Sequence, residues 1–285
     1  MSTSPLRSNT DLVGGIIEAV KERIKTEKLP PAKRSGRYEV LDFVRGITII
    51  SMVLYHFVWD LVYIAGLDWQ WYQSKFAHVW QMSICCTFIL LAGFCCALSR
   101  HKLKRGAAVF LSGALVTIVT LVFMPQERII FGVLTMLGTS MLLMIPLERV
   151  LSRADSRIGI AVSLVLFLLT YDVSRGYIGL CGIHLLNIPD CLYRLGYIGT
   201  FLGFMESDFY STDYFPLMPW FFLFVCGFFL FKLFEKYGIF KTKVFNRDFR
   251  NPITVIGRHS LLIYMLHQPV LYLIVRVVVH FTAIV

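Results

Sequence analysis

Arg45 to Leu61 reads "RGITIISMVLYHFVWDL", a stretch apolar enough for a membrane span that nevertheless carries two ionisable side chains in its second half. Residues 43–65 around it are long enough to cross roughly 30 Å of hydrocarbon as a helix. His56 lies near the middle of this span, and Asp60 follows one helical turn later. Ionisable groups at such depth are costly, so the segment predicts a membrane helix with a functional interior.

The whole chain has the composition of a polytopic membrane protein. Of its 285 residues, 56% are hydrophobic and 15% are aromatic, and the mean hydropathy is +0.66. Lipid offers no partner for open backbone groups, so the predicted fold is an all-α polytopic transmembrane helical bundle. The predicted spans are 43–65, 76–98, 106–124, 129–147, 157–173, 216–234 and 254–277.

The number of spans depends on the segment between residues 174 and 215. An eighth span is possible at 191–205, but this stretch is short for a bilayer and is interrupted by Arg194. Cytoplasmic loops are rich in Lys and Arg, and the basic loop 235–250 is cytoplasmic only if there are seven spans. We therefore favour seven spans, with 174–215 as an external cap or re-entrant element.

The net charge of +10 is concentrated just before the first span, which follows the positive-inside rule. We therefore expect a multi-pass protein of the cell membrane with a cytoplasmic N-terminus, surrounded by lipids, and no nucleic acid partner. Residues 1–36 are predicted as a cytoplasmic segment and 37–285 as the membrane domain. Apolar residues at helical spacing in 10–27 favour a short interfacial helix, with a loosely ordered tail as the alternative. No removable signal peptide is expected.

The last predicted span repeats the pattern of the first. It begins with Arg258 and His259 and reaches His267, which Gln268 follows. Counted from the predicted span starts, His56 and His267 both lie about 18 Å from the same membrane face, so the two histidines should share one depth. Asp60 lies on the same helix face as His56, where its carboxylate can fix the imidazole tautomer. For His267 alone, a simple bond to a neighbouring carbonyl is the structural alternative.

Several segments together resemble a known family. They are "RYEVLDFVRG", "FGVLTMLG", "DYFPLMPWFFLFVCG" and "GRHSLLIYMLHQP", together with the spacing of ten residues between Arg45 and His56. This set resembles the bacterial relatives of the heparan-α-glucosaminide N-acetyltransferase catalytic domain over most of 37–275. The resemblance implies a membrane acyltransferase that moves an acyl group, usually acetyl, from a coenzyme A thioester to an acceptor sugar. The chain departs from the family pattern at Thr135, where relatives carry a histidine.

The resemblance implies that His56 is the catalytic histidine and Arg45 its motif arginine. Acetyl-CoA is expected as a co-substrate, with no tightly bound cofactor, and a sugar or glycolipid as the acceptor. The predicted sets are His56, Asp60 and His267 for catalysis; Arg37, Asp42, Arg45 and Arg258 for coenzyme A; and Asp208, Asp213 and Tyr214 for the acceptor. For the last set, a solvated loop with an interfacial tyrosine is the alternative.

Two other functional classes and one covalent link stay open. A haem-binding electron carrier would use the two histidines as axial ligands, and a transporter would use intramembrane charges along a substrate path. The seven cysteines lack the spacing of a metal site, and no metal is expected. Cys181 and Cys191 either form a disulfide or are buried as separate thiols.

Overall fold

The computed structural model describes residues 38–180, 183–247 and 251–282, which form a helical bundle. Within these ranges seven helices are long and apolar enough to cross a membrane. The predicted all-α bundle of seven spans is therefore confirmed. The predicted interfacial helix at 10–27, Arg37 and Cys181 lie outside the described residues, so these predictions and the proposed disulfide stay untested.

The helices are numbered here in chain order. The spans are α1 Glu39–Tyr63, α2 Lys75–Leu98, α3 Lys102–Phe123, α4 Val133–Leu151, α5 Ser156–Leu169, α7 Leu217–Lys236 and α10 Ser260–Thr282. The shorter elements are β1 Tyr177–Leu180, β2 Ile183–Asn187, α6 Gly196–Leu202, α8 Lys243–Asn246 and α9 Pro252–Arg258. The first six predicted spans begin and end within four residues of the observed helices. The fourth of them is displaced by four residues at both ends.

The last predicted span was wrong as a single helix. The structure divides it at His259 into α9 and α10, because His259 has a non-helical backbone (φ −102°, ψ 20°). Pro252 occupies the first turn of α9, where its missing N–H costs nothing, and the Asn251 side chain accepts a hydrogen bond from Thr254 N at 2.9 Å. The membrane span is therefore α10 alone, and Pro269 lies inside it.

The two ends of the bundle differ in charge. One end, called the basic face, contains the start of α1, the turns at 99–101 and 152–155, and the segments 237–247 and 251–259 with α8 and α9. Most of the Lys and Arg residues of the described connecting segments lie there. The other end, called the capped face, contains the long segment 170–216. This distribution is the one that the positive-inside rule leads us to expect.

The core lies between α2, α4, α5 and α7. Its most deeply buried side chains include Ile89, Met136 and Phe224, none of which is exposed. Two glycines allow the helices of this core to approach closely: a Cβ at Gly93 would overlap the Phe224 carbonyl, and one at Gly227 would overlap that of Leu90. The spans α1 and α10 pack outside this core, at the edge of the bundle.

The capped face is closed by a folded segment instead of an eighth span. The antiparallel hairpin β1–β2 leads to α6, which has only seven residues and cannot cross a bilayer. The chain then pairs with the loop before α4, where Phe215 N donates to Phe131 O at 2.9 Å and Thr212 N donates to Arg128 O at 3.1 Å. The described residues of 174–215 therefore fold as a cap and not as an eighth span, and the prediction that this cap is external stays a prediction.

Candidate functional site

Two histidines meet between α1 and α10. The ring centroids of His56 and His267 are 4.8 Å apart, and both side chains are half-buried. Their predicted common depth is confirmed, although α10 begins five residues later than the predicted start near Val255. The pair lies at the edge of the bundle, because only 6% of the most apolar stretch of α10 is buried inside the protein.

The tautomer of His267 is set by the backbone of its own helix. Its Nδ1 lies 2.5 Å from the carbonyl oxygen of Tyr264, which can only accept, so Nδ1 carries the proton. In the neutral ring, Nε2 then holds a free lone pair. This atom is buried and has no hydrogen-bond partner among the described residues. The ring that contacts His56 therefore has a nitrogen with a free lone pair, which can act as a base.

The predicted bond between Asp60 and His56 was wrong. Asp60 is fully buried, and its Oδ1 accepts a hydrogen bond from Gln268 Nε2 at 2.9 Å, across to α10. No hydrogen bond joins it to His56 in the part of the chain that the structure describes. The spacing of one turn puts both residues on one helix face, but the neighbouring helix supplies the donor that a carboxylate needs in lipid.

The predicted coenzyme A set meets at the basic face, apart from Arg37. Arg45 Nη1 lies 2.9 Å from Asp42 Oδ1, while its Nη2 donates to Cys95 Sγ at 2.9 Å. Arg258 Nε lies 3.8 Å from Asp42 Oδ2, and Arg258 Nη2 lies 3.4 Å from Glu39 Oε1. Both guanidinium groups therefore share the buried Asp42, and Arg45 directs its other nitrogen into the bundle.

An open pocket of about 310 Å³ adjoins this ion-pair cluster. It is lined by Asn251, Thr254, Val255 and Arg258, all from α9 and its N-cap. Arg45 precedes His56 by eleven residues of one helix, a rise of about 16 Å. A ligand that reaches both the pocket and the histidines must therefore be long and must carry its charge at the basic end.

Asp213 lies on the other side of the histidines. Its Oδ2 accepts hydrogen bonds from Val133 N at 3.3 Å and from the Tyr264 hydroxyl at 3.4 Å, so it holds the N-terminus of α4. Burial raises the pKa of this carboxyl above its usual value. Since Tyr264 also holds His267 through its carbonyl, a chain of contacts joins Asp213 to the histidine pair.

The other two predicted acceptor residues do not join the site. The Tyr214 hydroxyl donates to the carbonyl oxygen of Thr200 at 2.6 Å, a contact that fixes the cap internally. Burial also raises the pKa of Tyr214. Asp208 is exposed and contacts Ser207 in a turn. The structure thus brings only Asp213 of the predicted acceptor set into contact with residues of the site.

The chain matches a known protein family over most of its length. The sequence model of the family described as "Heparan-alpha-glucosaminide N-acetyltransferase, catalytic" matches residues 37–269, most of the chain. The chain belongs to this family. The match includes α1, with His56, and α10 as far as His267, Gln268 and Pro269. Comparisons with curated proteins and with solved structures gave no match.

The heparan-alpha-glucosaminide N-acetyltransferase catalytic family is a family of membrane acetyltransferases. Thr135, the position at which the chain departs from the family pattern, lies in α4 against Gly113 of α3. Its side chain is 8% exposed and serves helix packing.

Sequence reasoning did not assign roles to Gln268 and Tyr264, which hold Asp60 and His267 in the structure. Both residues stand in the quoted segment "GRHSLLIYMLHQP". The signal for Gln268 was an amide in the middle of a membrane span, where a polar group needs a partner. The signal for Tyr264 was its position three residues before a histidine, one turn back on the same helix.

Proposed function

We propose that the protein transfers an acetyl group from acetyl-CoA to an amino or hydroxyl group of a glycan or glycolipid, with His56 at the reacting centre. The contact between His56 and His267, on two neighbouring spans of a member of a membrane acetyltransferase family, is the observation that supports this most. Intramembrane ionisable groups that face one another mark a functional path.

The charges suggest the side from which the donor arrives. Acetyl-CoA is polyanionic, and Arg45 and Arg258 lie at the basic face beside the open pocket. Guanidinium groups bind phosphate through paired N–H donors. We propose that the basic face is cytoplasmic in the cell membrane, that these arginines bind the phosphates, and that the pantetheine arm extends along α1 toward His56.

The chemistry needs one base and one acyl group in contact. Either His56 takes the proton of the acceptor amine or hydroxyl while that atom attacks the thioester carbon, or His56 itself first carries the acetyl group. In both routes the carbon–sulfur bond breaks, and the coenzyme A thiolate takes up a proton. His267, with its free Nε2, is placed to receive a proton from the neighbouring imidazole.

The haem alternative fits the geometry poorly. Axial ligands bind iron from opposite faces of the haem, so their rings must be separated by the metal and the plane of the macrocycle. Ring centroids 4.8 Å apart are in direct contact and leave no room for that plane. A transporter remains a chemically distinct candidate, but no contact in the structure favours it over the acetyltransferase.

The experiment uses detergent-purified protein, labelled acetyl-CoA and a panel of amino sugars. Loss of the His56 base should lower turnover by about 10²- to 10⁴-fold or more. The matched control is His280→Ala, which removes an exposed histidine near the end of α10. Turnover by His56→Ala close to that of the wild type would contradict the assignment, provided that both variants melt at the wild-type temperature.

A further inference from the structure

The contact between Gln268 and Asp60 leaves two oxygen atoms without partners. Gln268 Nε2 donates to Asp60 Oδ1, while Asp60 Oδ2 and Gln268 Oε1 are buried and have no hydrogen-bond partner among the described residues. Buried polar atoms of this kind are rare in folded proteins and call for an explanation. Here both belong to one pair of side chains that joins α1 to α10.

The orientation of the Gln268 amide follows from the carboxylate that it meets. An ionised carboxylate only accepts hydrogen bonds, so the amide nitrogen must face Asp60 Oδ1, and the amide oxygen must point elsewhere. His267 Nε2, on the next residue, is a third buried acceptor without a partner in the described part of the chain. The cluster thus offers three unpartnered acceptor atoms, beside the second N–H of Gln268 Nε2.

We propose that Asp60 and Gln268 form a subsite that binds the hydrogen-bond-donating group of the acyl acceptor and holds it beside His56. An amino group that enters as ammonium has one N–H donor for each of the three acceptor atoms, whereas a hydroxyl group has a single donor. The subsite rests on the proposed function, since it names what positions the acceptor in that reaction. It also assigns Asp60 to acceptor binding, in place of the predicted orientation of His56.

The subsite accounts for the direction of proton flow. An acceptor ammonium group has three N–H donors, so two of them can bind Asp60 Oδ2 and Gln268 Oε1 while the third faces the histidine pair. This third proton passes to an imidazole nitrogen, which frees the lone pair of the acceptor nitrogen to bond to the carbonyl carbon. The carbon–sulfur bond breaks, and a second N–H proton passes to the coenzyme A sulfur. Fixing the attacking group in this way lowers the entropic part of the barrier.

The decisive variant is Asp60→Asn, which keeps the shape and the acceptor for Gln268 Nε2 but replaces Oδ2 with an N–H₂ donor. We expect kcat/KM for the acceptor to fall by about 10- to 100-fold, because a donor then faces a donor. The KM for acetyl-CoA and the melting temperature should stay near the wild-type values. A purely structural link between α1 and α10 would survive this change, so wild-type acceptor kinetics would overturn the proposal.

The matched control exchanges the two groups, as Asp60→Asn with Gln268→Glu. The exchanged pair again has one amide–carboxylate hydrogen bond and two free acceptor oxygens, so acceptor kcat/KM should recover at least tenfold over Asp60→Asn. No recovery would overturn the proposal. If Asp60→Asn does not fold, the double variant decides alone: acceptor kcat/KM within tenfold of the wild type supports the subsite, and a larger loss overturns it.

A binding measurement separates this proposal from the proposed function. Octyl glucosaminide and octyl glucoside, added to the purified protein, should raise the melting temperature of the wild type more than that of Asp60→Asn. The amino and hydroxyl probes show which donor the subsite prefers. An equal shift in both proteins overturns the subsite, whereas absence of acetyl transfer together with an unequal shift overturns only the proposed reaction.

Discussion

At the scale of single residues, the site depends on how each intramembrane polar group is paired. A histidine in lipid is tolerated when its polar atoms have partners, and the Tyr264 carbonyl supplies one for His267. The structural alternative expected for His267, a bond to a neighbouring carbonyl, is thus present at Nδ1. It leaves Nε2 free, so the same contact that stabilises the ring also prepares it as a base.

Arg45 also has each of its terminal polar atoms paired, through its planar guanidinium group. Its two terminal nitrogens bind different partners, Asp42 on its own helix and Cys95 on α2. Lysine has the charge but a single ammonium group, so Arg45→Lys cannot hold both partners and present a planar face to phosphate. We expect the KM for acetyl-CoA to rise by about tenfold, with kcat changed much less.

The control for Arg45→Lys is Arg157→Lys, at a basic-face position that contacts Tyr237 on the outside of the bundle. Steady-state kinetics with acetyl-CoA as the varied substrate measures both variants. An unchanged KM in Arg45→Lys would mean that Arg45 holds the helices together and does not bind the donor.

The sequence was sufficient for the depth of the histidines but not for their partners. Position along a helix follows from counting residues at about 1.5 Å each, which placed His56 and His267 together. Rotation of one helix about its axis relative to another is set by packing, and no residue of α1 alone indicates that Gln268 faces Asp60. The i to i+4 spacing by itself therefore predicts a contact between Asp60 and His56, and this prediction is wrong.

At the scale of elements, α9 is held against α1 by two glycines. A Cβ at Gly46 would overlap the Ile253 carbonyl oxygen, and one at Gly257 would overlap that of Asp42. Both overlaps are with backbone atoms, which cannot rotate away as a side chain does. The break at His259 allows α9 to lie on α1 while α10 follows its own direction through the membrane.

Gly257→Ala should therefore destabilise the protein. The added methyl group must push α9 away from α1, and overpacking of this kind costs typically about 1–3 kcal/mol. We expect a lower melting temperature together with a higher KM for acetyl-CoA, because Arg258 moves with α9. Gly106→Ala is the control, since its added methyl would meet side-chain atoms and no backbone: Leu142 Cδ2 at 3.0 Å, Leu142 Cγ at 3.1 Å and Met141 Cβ at 3.2 Å. A Gly257→Ala protein as stable as that control would contradict the close packing.

The ends of the spans were harder to predict than their existence. Apolar residues continue beyond a helix wherever the adjoining loop is at least partly buried, as at 129–132 before α4. In that loop Phe131 has a positive φ of 58°, an uncommon conformation for a side chain with a Cβ, and it prevents an earlier helix start. Hydropathy alone does not register such a backbone conformation.

At the scale of the whole molecule, the two faces differ in charge and in structure, and their orientation can be tested directly. Single cysteines introduced as Lys243→Cys and Asp208→Cys lie at exposed positions on the basic and the capped face, respectively. The background must carry Cys181→Ser and Cys191→Ser, because Cys191 is exposed on the capped side. An impermeant thiol reagent applied to intact cells should label the cysteine at 208 and leave that at 243 unlabelled, since the basic face is expected to be cytoplasmic.

The opposite labelling pattern would place the ion-pair cluster of Arg45 and Arg258 outside the cell. Acetyl-CoA would then have no charged entry at these arginines, and the donor route proposed above would fail. Permeabilised cells supply the control, because both cysteines should react once the reagent reaches both faces.

The pairing of α1 with α10 also has a consequence for synthesis of the protein. Asp60 enters the membrane with the first described span, but its partner Gln268 is translated only with the seventh. Throughout the time between, a carboxylate must stay in the membrane without that partner, a state that is costly in lipid. The nascent chain therefore needs water, an insertion factor or a protonated carboxyl at this point until Gln268 is inserted.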